Sequence, residues 1–299
     1  MTIRDDSCDS WQSELADTPD TAWNDDLLRD PHAAADKRSR VQKMFAAIAP
    51  KYDLNNRLHS FGMDQRWRKK AVKLAELKAE DRVVDVACGT GDLTLAFARN
   101  HSGLAREPAR GLDPRSAPDK GEQARRLHEH WVLGVDFTFA MLPIADRKSQ
   151  VAPHLEIEER TSEITFINAD ATALPLADES ADVVSIAFGI RNVQEPAKAL
   201  AEFYRIMKPG GRLIVLEFSQ PKSRFIRFFN DLYCTRIMPT TATWISSDTS
   251  GAYKYLPMSV KTFMSREMMM QMMRDAGFVD VTQHPMTFGV AVVYRGYKR

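Results

Sequence analysis

Hydrophobic and polar positions along the chain switch between a helical and a strand period. Val41, Met44, Phe45 and Ile48 recur at helical spacing from Lys37 onward, Pro50 closes that helix, and a second helical pattern runs from Trp67 to Leu77. Val83-Val84-Asp85-Val86-Ala87 follows as a short, β-branched apolar run, the pattern of a strand buried on both faces. Further strands are predicted at Trp131–Asp136, Ile164–Asn168, Ala181–Gly189 and Arg212–Phe218. A helix is predicted over Glu195–Met207, stopped by Lys208-Pro209-Gly210-Gly211, and another over 265–276, closed by Gly277. Phe278–Val281 and Thr287–Tyr297 finish the chain as a hairpin. Five β/α units and a hairpin describe an α/β fold with a seven-stranded, mostly parallel sheet. Its crossovers are right-handed, one strand of the terminal hairpin is antiparallel to the rest, and an N-terminal helical cap spans 37–78.

Three stretches break this rhythm. Residues 1–36 carry ten acids against Arg4 and Arg29 and few core-forming residues, so they read as a disordered acidic tail. The alternative is a docking handle made from Trp11, Trp23 and the Leu27-Leu28 pair. Residues 101–130 show little apolar periodicity and read as a surface insertion, and 220–262, aromatic and Met-rich, as a helical insertion on the substrate side. Residues 37–299 therefore form one domain.

Composition narrows the class without naming a chemistry. A 44% hydrophobic fraction and a net charge of +1 over 299 residues describe an ordinary globular protein with no global bias toward nucleic acid. Cys8, Cys88 and Cys234 offer neither a disulfide framework nor zinc spacing, and no metal site is predicted. No apolar run approaches the length of a membrane span, and the acidic N-terminus is not a secretory signal, so the expected location is cytoplasmic.

The candidate chemistry begins at Cys88-Gly89-Thr90-Gly91-Asp92. A strand, a glycine turn and a helix N-terminus at Asp92 make a ligand site at the carboxyl edge of an open sheet. A dinucleotide fingerprint wants a small third residue where Thr94 stands, and Asp85 sits inside the strand end. Negative charge there suits a sulfonium better than a pyrophosphate, which favours S-adenosylmethionine over NAD. Gly89 and Gly91 shape the turn, and Asp85 supports the cofactor's amino-acid end. Asp136 closes the second strand, 46 positions beyond Thr90, where an acid receives ribose hydroxyls; the alternative is that it caps the next helix. Asp170-Ala171 ends the third strand and offers a carboxylate and a backbone N–H to adenine, unless it is a surface turn.

Several separate motifs resemble one family, the quinone-biosynthesis C-methyltransferases of the UbiE/MenG type. Met44-Phe45-Ala46-Ala47-Ile48-Ala49-Pro50-Lys51-Tyr52-Asp53, with Asn55, Ser60, Gly62, Trp67 and Arg68, is similar to its N-terminal signature. Phe188-Gly189-Ile190-Arg191-Asn192-Val193, Leu216-Glu217-Phe218-Ser219, Tyr255-Leu256-Pro257-Met258-Ser259-Val260 and Thr287-Phe288-Gly289 resemble its downstream blocks, and the likeness covers roughly 41–297. The resemblance implies a class I S-adenosylmethionine-dependent methyltransferase fold, with cofactor contacts at Thr90, Asp136, Asp170 and Ala171. A further contact, often Ser in the family, falls on Ala187 and comes there from backbone. Cys88 stands where many members have Gly and reads as small packing.

The resemblance also implies the acceptor, a polyprenylated quinol, with demethylmenaquinol favoured by the Ala87-Cys88-Gly89-Thr90-Gly91 form and a methoxy-polyprenyl-benzoquinol as the alternative. A phenolic ring carbon needs its hydroxyl deprotonated or its phenolate stabilised. Arg191, leaving the fourth strand, is expected to hold the phenolate or orient a water, since a guanidinium does not act as an ordinary base. Tyr52 and Asp53 complete that relay. The alternatives are a structural pair of Arg191 with Glu217 or Asp53, and Tyr52 packed under the cap. His59 reads as a satisfied structural histidine. The aromatic stretch 224–238, with Arg224 and Arg227, reads as a groove for the tail, a peripheral membrane contact, or core. For Met268, Met269, Met270, Met272 and Met273, core packing is the preferred reading over a flexible lipid surface. Expected partners are the quinol, a membrane surface and a second copy of the chain in a homo-oligomer, with no nucleic acid.

Overall fold

A computed structural model of the protein describes residues 23–24, 26–106, 131–151, 163–246 and 250–299. The cap comprises α1 (Lys37–Ile48), α2 (Tyr52–His59) and α3 (Met63–Leu74). The sheet elements follow as β1 (Val83–Val86), α4 (Asp92–Arg106), β2 (Trp131–Asp136), α5 (Leu142–Val151), β3 (Glu163–Asn168), β4 (Ala181–Ala187), α6 (Pro196–Ile206) and β5 (Met207–Phe218). Next come α7 (Arg224–Leu232), a π-helical stretch at Tyr233–Ile237, α8 (Met238–Ser246), α9 (Ala252–Thr262) and α10 (Arg266–Asp275). The hairpin strands β6 (Val279–Met286) and β7 (Ala291–Tyr297) end the fold.

Strand order in the seven-stranded sheet is β3-β2-β1-β4-β5-β7-β6. The first five strands pair in parallel, and β7 runs antiparallel to both neighbours, so it is the single reversed member. The two-residue strand period divides the core between the faces. Val84, Val86, Leu133, Val135, Val184 and Ile186 bury against α6 and α10 on one side. Val83, Val132, Val183 and Ile214 meet Trp67, Ala71, Leu93 and Phe97 of α3 and α4 on the other. Each such side chain contributes about 1.5–3 kcal/mol by leaving water. Met269 and Met273 join the first core while Met268 stays exposed, as the preference for packing anticipates.

Four sequence expectations are corrected. The α3 helix starts at Met63 instead of Trp67, because Gly62 (φ +71°) takes a left-handed turn that Met63 can follow directly. β5 starts at Met207, since the chain re-enters the sheet before Gly210 rather than after the glycines. The expected insertion at 101–130 begins later: α4 continues to Arg106 with His101 buried, and 107–130 lie outside the described residues. The tail is not free up to 36. Trp23, Leu28 and Ala34 are buried, and the Trp23 ring sits 4.4 Å from that of Tyr255. Residues 1–22 lie outside the described residues. Trp23 and Leu28, two residues of the alternative docking handle, therefore pack into the fold despite the segment's mean acidity.

The first two cap helices pack on the helices after β5, while α3 lies on the sheet. Val41, Met44 and Ile48 share a cluster with Ala242, Ala252, Tyr253 and Tyr255, which roofs the carboxyl edge of the sheet. Trp23 belongs to the same cluster. Trp23→Ala is expected to cost about 3 kcal/mol, the low end for removing a buried aromatic ring. Thermal unfolding of the two proteins checks it, and an unchanged midpoint would show that the roof does not need this residue.

Candidate active site

β1 lies between β2 and β4, so successive crossovers leave it in opposite directions and open a crevice at its carboxyl end. The chain turns there through Ala87 (φ +52°), Gly89 (φ +55°) and Gly91 (φ +80°). A Cβ on Gly91 would stand 3.0 Å from that of Ala145, so this glycine also lets α4 and α5 approach. Two cavities meet under the roof. One, of about 190 Å³, is lined by Gly89, Asp136, Asp170, Ala171 and Ala187. The other, of about 490 Å³, is lined mainly by apolar side chains of the cap, the π-helical stretch, α8 and α9, and by Arg68 and Arg191. Phe45, Tyr52 and Phe188 belong to both walls.

In the smaller cavity Asp136 accepts the N–H groups of Gly89 and Thr138, each at 2.7 Å. Burial pushes its carboxyl up to about 6, against the pull of those two donors. Asp170 accepts the N–H and hydroxyl of Thr172, each at 2.8 Å, and pairs with Arg38 at 2.8 Å. Arg38 in turn lies over the Phe137 ring. Among the described lining residues Arg38 is the one cation, and Asp170 already neutralises it. Asp136 and Asp170, with Glu195 also in the lining and largely apolar walls between, suit the hydroxyls and base of a nucleoside; a pyrophosphate would face like charge. This donor set fits S-adenosylmethionine.

Other expected cofactor residues stand behind the wall. Asp85 is buried and accepts the hydroxyls of Thr94 and Ser185, each at 2.7 Å, and burial pushes it up to about 6. The two departures from the dinucleotide pattern, Asp85 and Thr94, are therefore partners of each other. Asp85 supports the turn from beneath, and neither it nor Gly91 lines the cavity. The side chain of Thr90 points to the cap, donating to Asp53 at 2.5 Å. Cys88 is half-buried, and burial pushes its thiol well above the usual range, which fits packing.

Asp53 requires a correction. It was expected in the acceptor relay, yet it lines neither cavity, because both its oxygens are taken by Thr90 and by Lys148 (2.8 Å). Lys148 also donates to Asp92 at 2.5 Å, so this knot ties α2, the glycine turn and α5 together. Nothing in the sequence marks Lys148 or Arg38 for these contacts. Lys37 was missed too: it is buried and donates to Val193 O at 2.8 Å, holding the loop that forms one wall of the small cavity.

Arg191 lines the larger cavity and is buried, with Nη1 donating to Glu217 (2.6 Å) and to Phe188 O (2.7 Å). The pairing with Glu217 thus coexists with a place in the chamber wall. Burial pushes the Glu217 carboxyl up, and Arg191 pulls against it. Tyr52 stands at the wall shared by both cavities, its hydroxyl raised by burial and therefore neutral. His59 has both ring nitrogens engaged, with Asn55 O and the Thr241 hydroxyl, each at 2.9 Å.

The sheet order, the glycine turn and the nucleoside-fitting cavity define an S-adenosylmethionine-dependent methyltransferase. A solved SAM-dependent methyltransferase from Thermotoga maritima, described as a possible histamine N-methyltransferase, matches the fold with a TM-score of 0.51 at 22% identity, covering 87% of this chain and 100% of that one. A family model for the ubiE/COQ5 methyltransferase family matches residues 33–298, and the chain belongs to that family. Among curated relatives, the demethylmenaquinone methyltransferase of Thermus thermophilus is 43% identical over 253 residues, covering 85% of this chain and 99% of that protein. The ubiquinone/menaquinone biosynthesis C-methyltransferase UbiE of Geobacter sulfurreducens is 38% identical over 263 residues, covering 88% and 90%.

Two measurements test the cavity. Protonating Asp136 removes acceptor capacity, so affinity for S-adenosylhomocysteine should fall about ten-fold from pH 7 to pH 5, as a carboxyl titrating near 6 requires. Asp136→Asn should bind about 10- to 100-fold more weakly at pH 7, the loss expected for charged hydrogen bonds, and show a flat profile by calorimetry. A wild-type profile that is flat over the same range would remove Asp136 from the ribose.

Proposed function

We propose that the protein methylates a ring carbon of a polyprenylated quinol, with demethylmenaquinol as acceptor and menaquinol as product. The observation that carries the reading is the apolar chamber of about 490 Å³ sharing Phe45, Tyr52 and Phe188 with the nucleoside cavity. The name of the Thermus relative favours the naphthoquinol, as does the Ala87-Cys88-Gly89-Thr90-Gly91 turn. The second reading is the methoxy-polyprenyl-benzoquinol of ubiquinone biosynthesis, which the broader name of the Geobacter relative keeps in play.

S-adenosylmethionine supplies an electrophilic methyl group when bound. Asp136 and Asp170 hold its nucleoside, and the shared aromatic wall holds the acceptor ring in line with the small cavity. Apolar side chains exclude bulk water from the larger chamber. Arg191, fixed along one edge by Glu217 and Phe188 O, orients a water that takes the acceptor hydroxyl's proton and stabilises the phenolate that makes the ring carbon nucleophilic. Tyr52, neutral, donates a hydrogen bond beside it. Asp53 acts from outside, by holding the cap in place.

The acceptor's tail leads out past an exposed aromatic rim. Phe225, Phe228, Phe229 and Leu232 of α7 and Phe61 after α2 are all solvent-exposed. We assign this rim to peripheral contact with a membrane, where such a tail dissolves. Among the described residues no helix is long and apolar enough to cross a membrane.

Purified protein given labelled S-adenosylmethionine should methylate demethylmenaquinol in preference to the benzoquinol; the opposite preference would exchange the two readings, and labelling of neither would end the quinol assignment. The double change Arg191→Met with Glu217→Gln removes the pair without stranding a buried carboxylate. It should lower turnover about 10²- to 10³-fold while leaving S-adenosylhomocysteine affinity intact. Wild-type protein should float with anionic liposomes, and Phe225→Ser with Phe228→Ser and Phe229→Ser should sink; equal flotation of the two would take the rim off the membrane.

A further inference from the structure

We infer that Arg68 is a second acceptor-binding cation, receiving the ring oxygen para to the one held by Arg191. The inference rests on the quinol reading and deepens it, because a quinol presents oxygens at opposite ends of its ring.

Arg68 lies on α3, one turn after Asp64, and both side chains are buried in the wall of the larger chamber. Its Nη1 donates to Asp64 at 2.7 Å. Asp64 is itself fixed by the Ser60 hydroxyl and by Gln65, each at 2.9 Å. A guanidinium has five N–H donors in a rigid fork. Among the described residues neither Nε nor Nη2 of Arg68 has a hydrogen-bond acceptor. Those donors keep access to open space, so the guanidinium, held at one nitrogen by Asp64, is free to give a hydrogen bond to a ligand in the chamber.

Its position places that acceptor on the reacting ring. The Arg68 Cζ is 5.8 Å from the centre of the Phe188 ring, and the Arg191 Cζ is 5.3 Å from that of Phe218. The two rings lie 4.5 Å apart, so the guanidinium groups attend neighbouring members of one aromatic pair. The Tyr52 hydroxyl feels both: after burial raises it, the charges of Arg68 and Arg191 each pull it down. A ring lying against Tyr52 and Phe188 is therefore within the field of both cations. Arg191 meets the hydroxyl that ionises, and Arg68 meets the opposite oxygen and fixes which ring carbon faces the small cavity.

A site that hydrogen-bonds a substrate oxygen discriminates against the analogue lacking it. Full-length protein loaded with S-adenosylhomocysteine is titrated with 4-methoxy-1-naphthol and with 1-naphthol, following naphthol fluorescence. Wild type should bind the two-oxygen ring about 10- to 100-fold more tightly, as a charged hydrogen bond implies. Arg68→Met should bind both rings equally, with 1-naphthol and S-adenosylhomocysteine affinities unchanged, and Arg68→Lys should keep part of the preference. A purely structural Arg68–Asp64 pair leaves the ratio untouched, so a preserved ratio in Arg68→Met overturns the inference. If Arg68→Met does not fold, a wild-type ratio in Arg68→Lys, which lacks the fork, overturns it instead. Should wild type methylate a quinol while Arg68→Met keeps its preference, the quinol reading stands and this inference alone falls. If wild type neither binds a naphthol nor methylates a quinol, both fall together.

Discussion

Both cavities exist because the cap is held down on the glycine turn, and a small knot of charge and hydroxyl does the holding. Asp53 receives the Thr90 hydroxyl and the Lys148 ammonium, and Lys148 also reaches Asp92. The members are partly exposed, so each contact alone is worth little after screening. Their value lies in joining three elements at one point. Burial pushes the Asp92 carboxyl up, but Arg68 and Lys148 outweigh it and leave it lowered, so the knot stays charged. Together with the apolar roof, it seats Phe45 and Tyr52, which form walls of both cavities.

Beneath the knot the sheet edge concentrates negative charge in an apolar setting. Asp85 and Asp136 each sit at a strand end and are both pushed up to about 6 by burial. Their roles separate by what occupies their oxygens. Two hydroxyls quench Asp85 and turn it into a brace between β1, β4 and α4. Two backbone donors steer Asp136 but leave it facing the cavity. An acid in a strand end is thus a brace or a ligand according to its neighbours, which the residue type alone does not disclose.

The same distinction explains what was legible in the chain. Strands, crossovers and the reversed β7 follow from local period and order, and Asp136, Asp170, Ala171 and Ala187 reach the cavity because strand ends reach the edge. The expectation that follows the resemblance puts Asp53 with Tyr52 in the acceptor relay. Its true partner Lys148 is 95 positions away, on a helix face whose rotation no pattern of residue types reveals. Arg38 on Asp170 was invisible for the same reason. Trp23 differs: the sequence offers it and Leu28 only as the alternative, a docking handle, because a composition averaged over an acidic segment outweighs one ring, here tilted against Tyr255. Local periodicity carries the scaffold, whereas cross-chain pairs carry the corrections.

The acceptor chamber shows how buried charge can serve an apolar substrate. Arg191 is matched by Glu217, and Arg68 by Asp64, so each cation enters the wall as part of a nearly neutral pair. A neutral quinol with a hydrocarbon tail therefore meets little net field on entering. The carboxylates also hold each guanidinium along one edge, so no reorganisation is needed as charge grows on a ring oxygen. Fixed dipoles of this kind interact weakly with the uncharged acceptor and strongly with the phenolate, which places their stabilisation where the reaction needs it. Removing either carboxylate would leave a stronger free cation in the wall but a less directed one, and the chamber would favour anionic ligands over quinols.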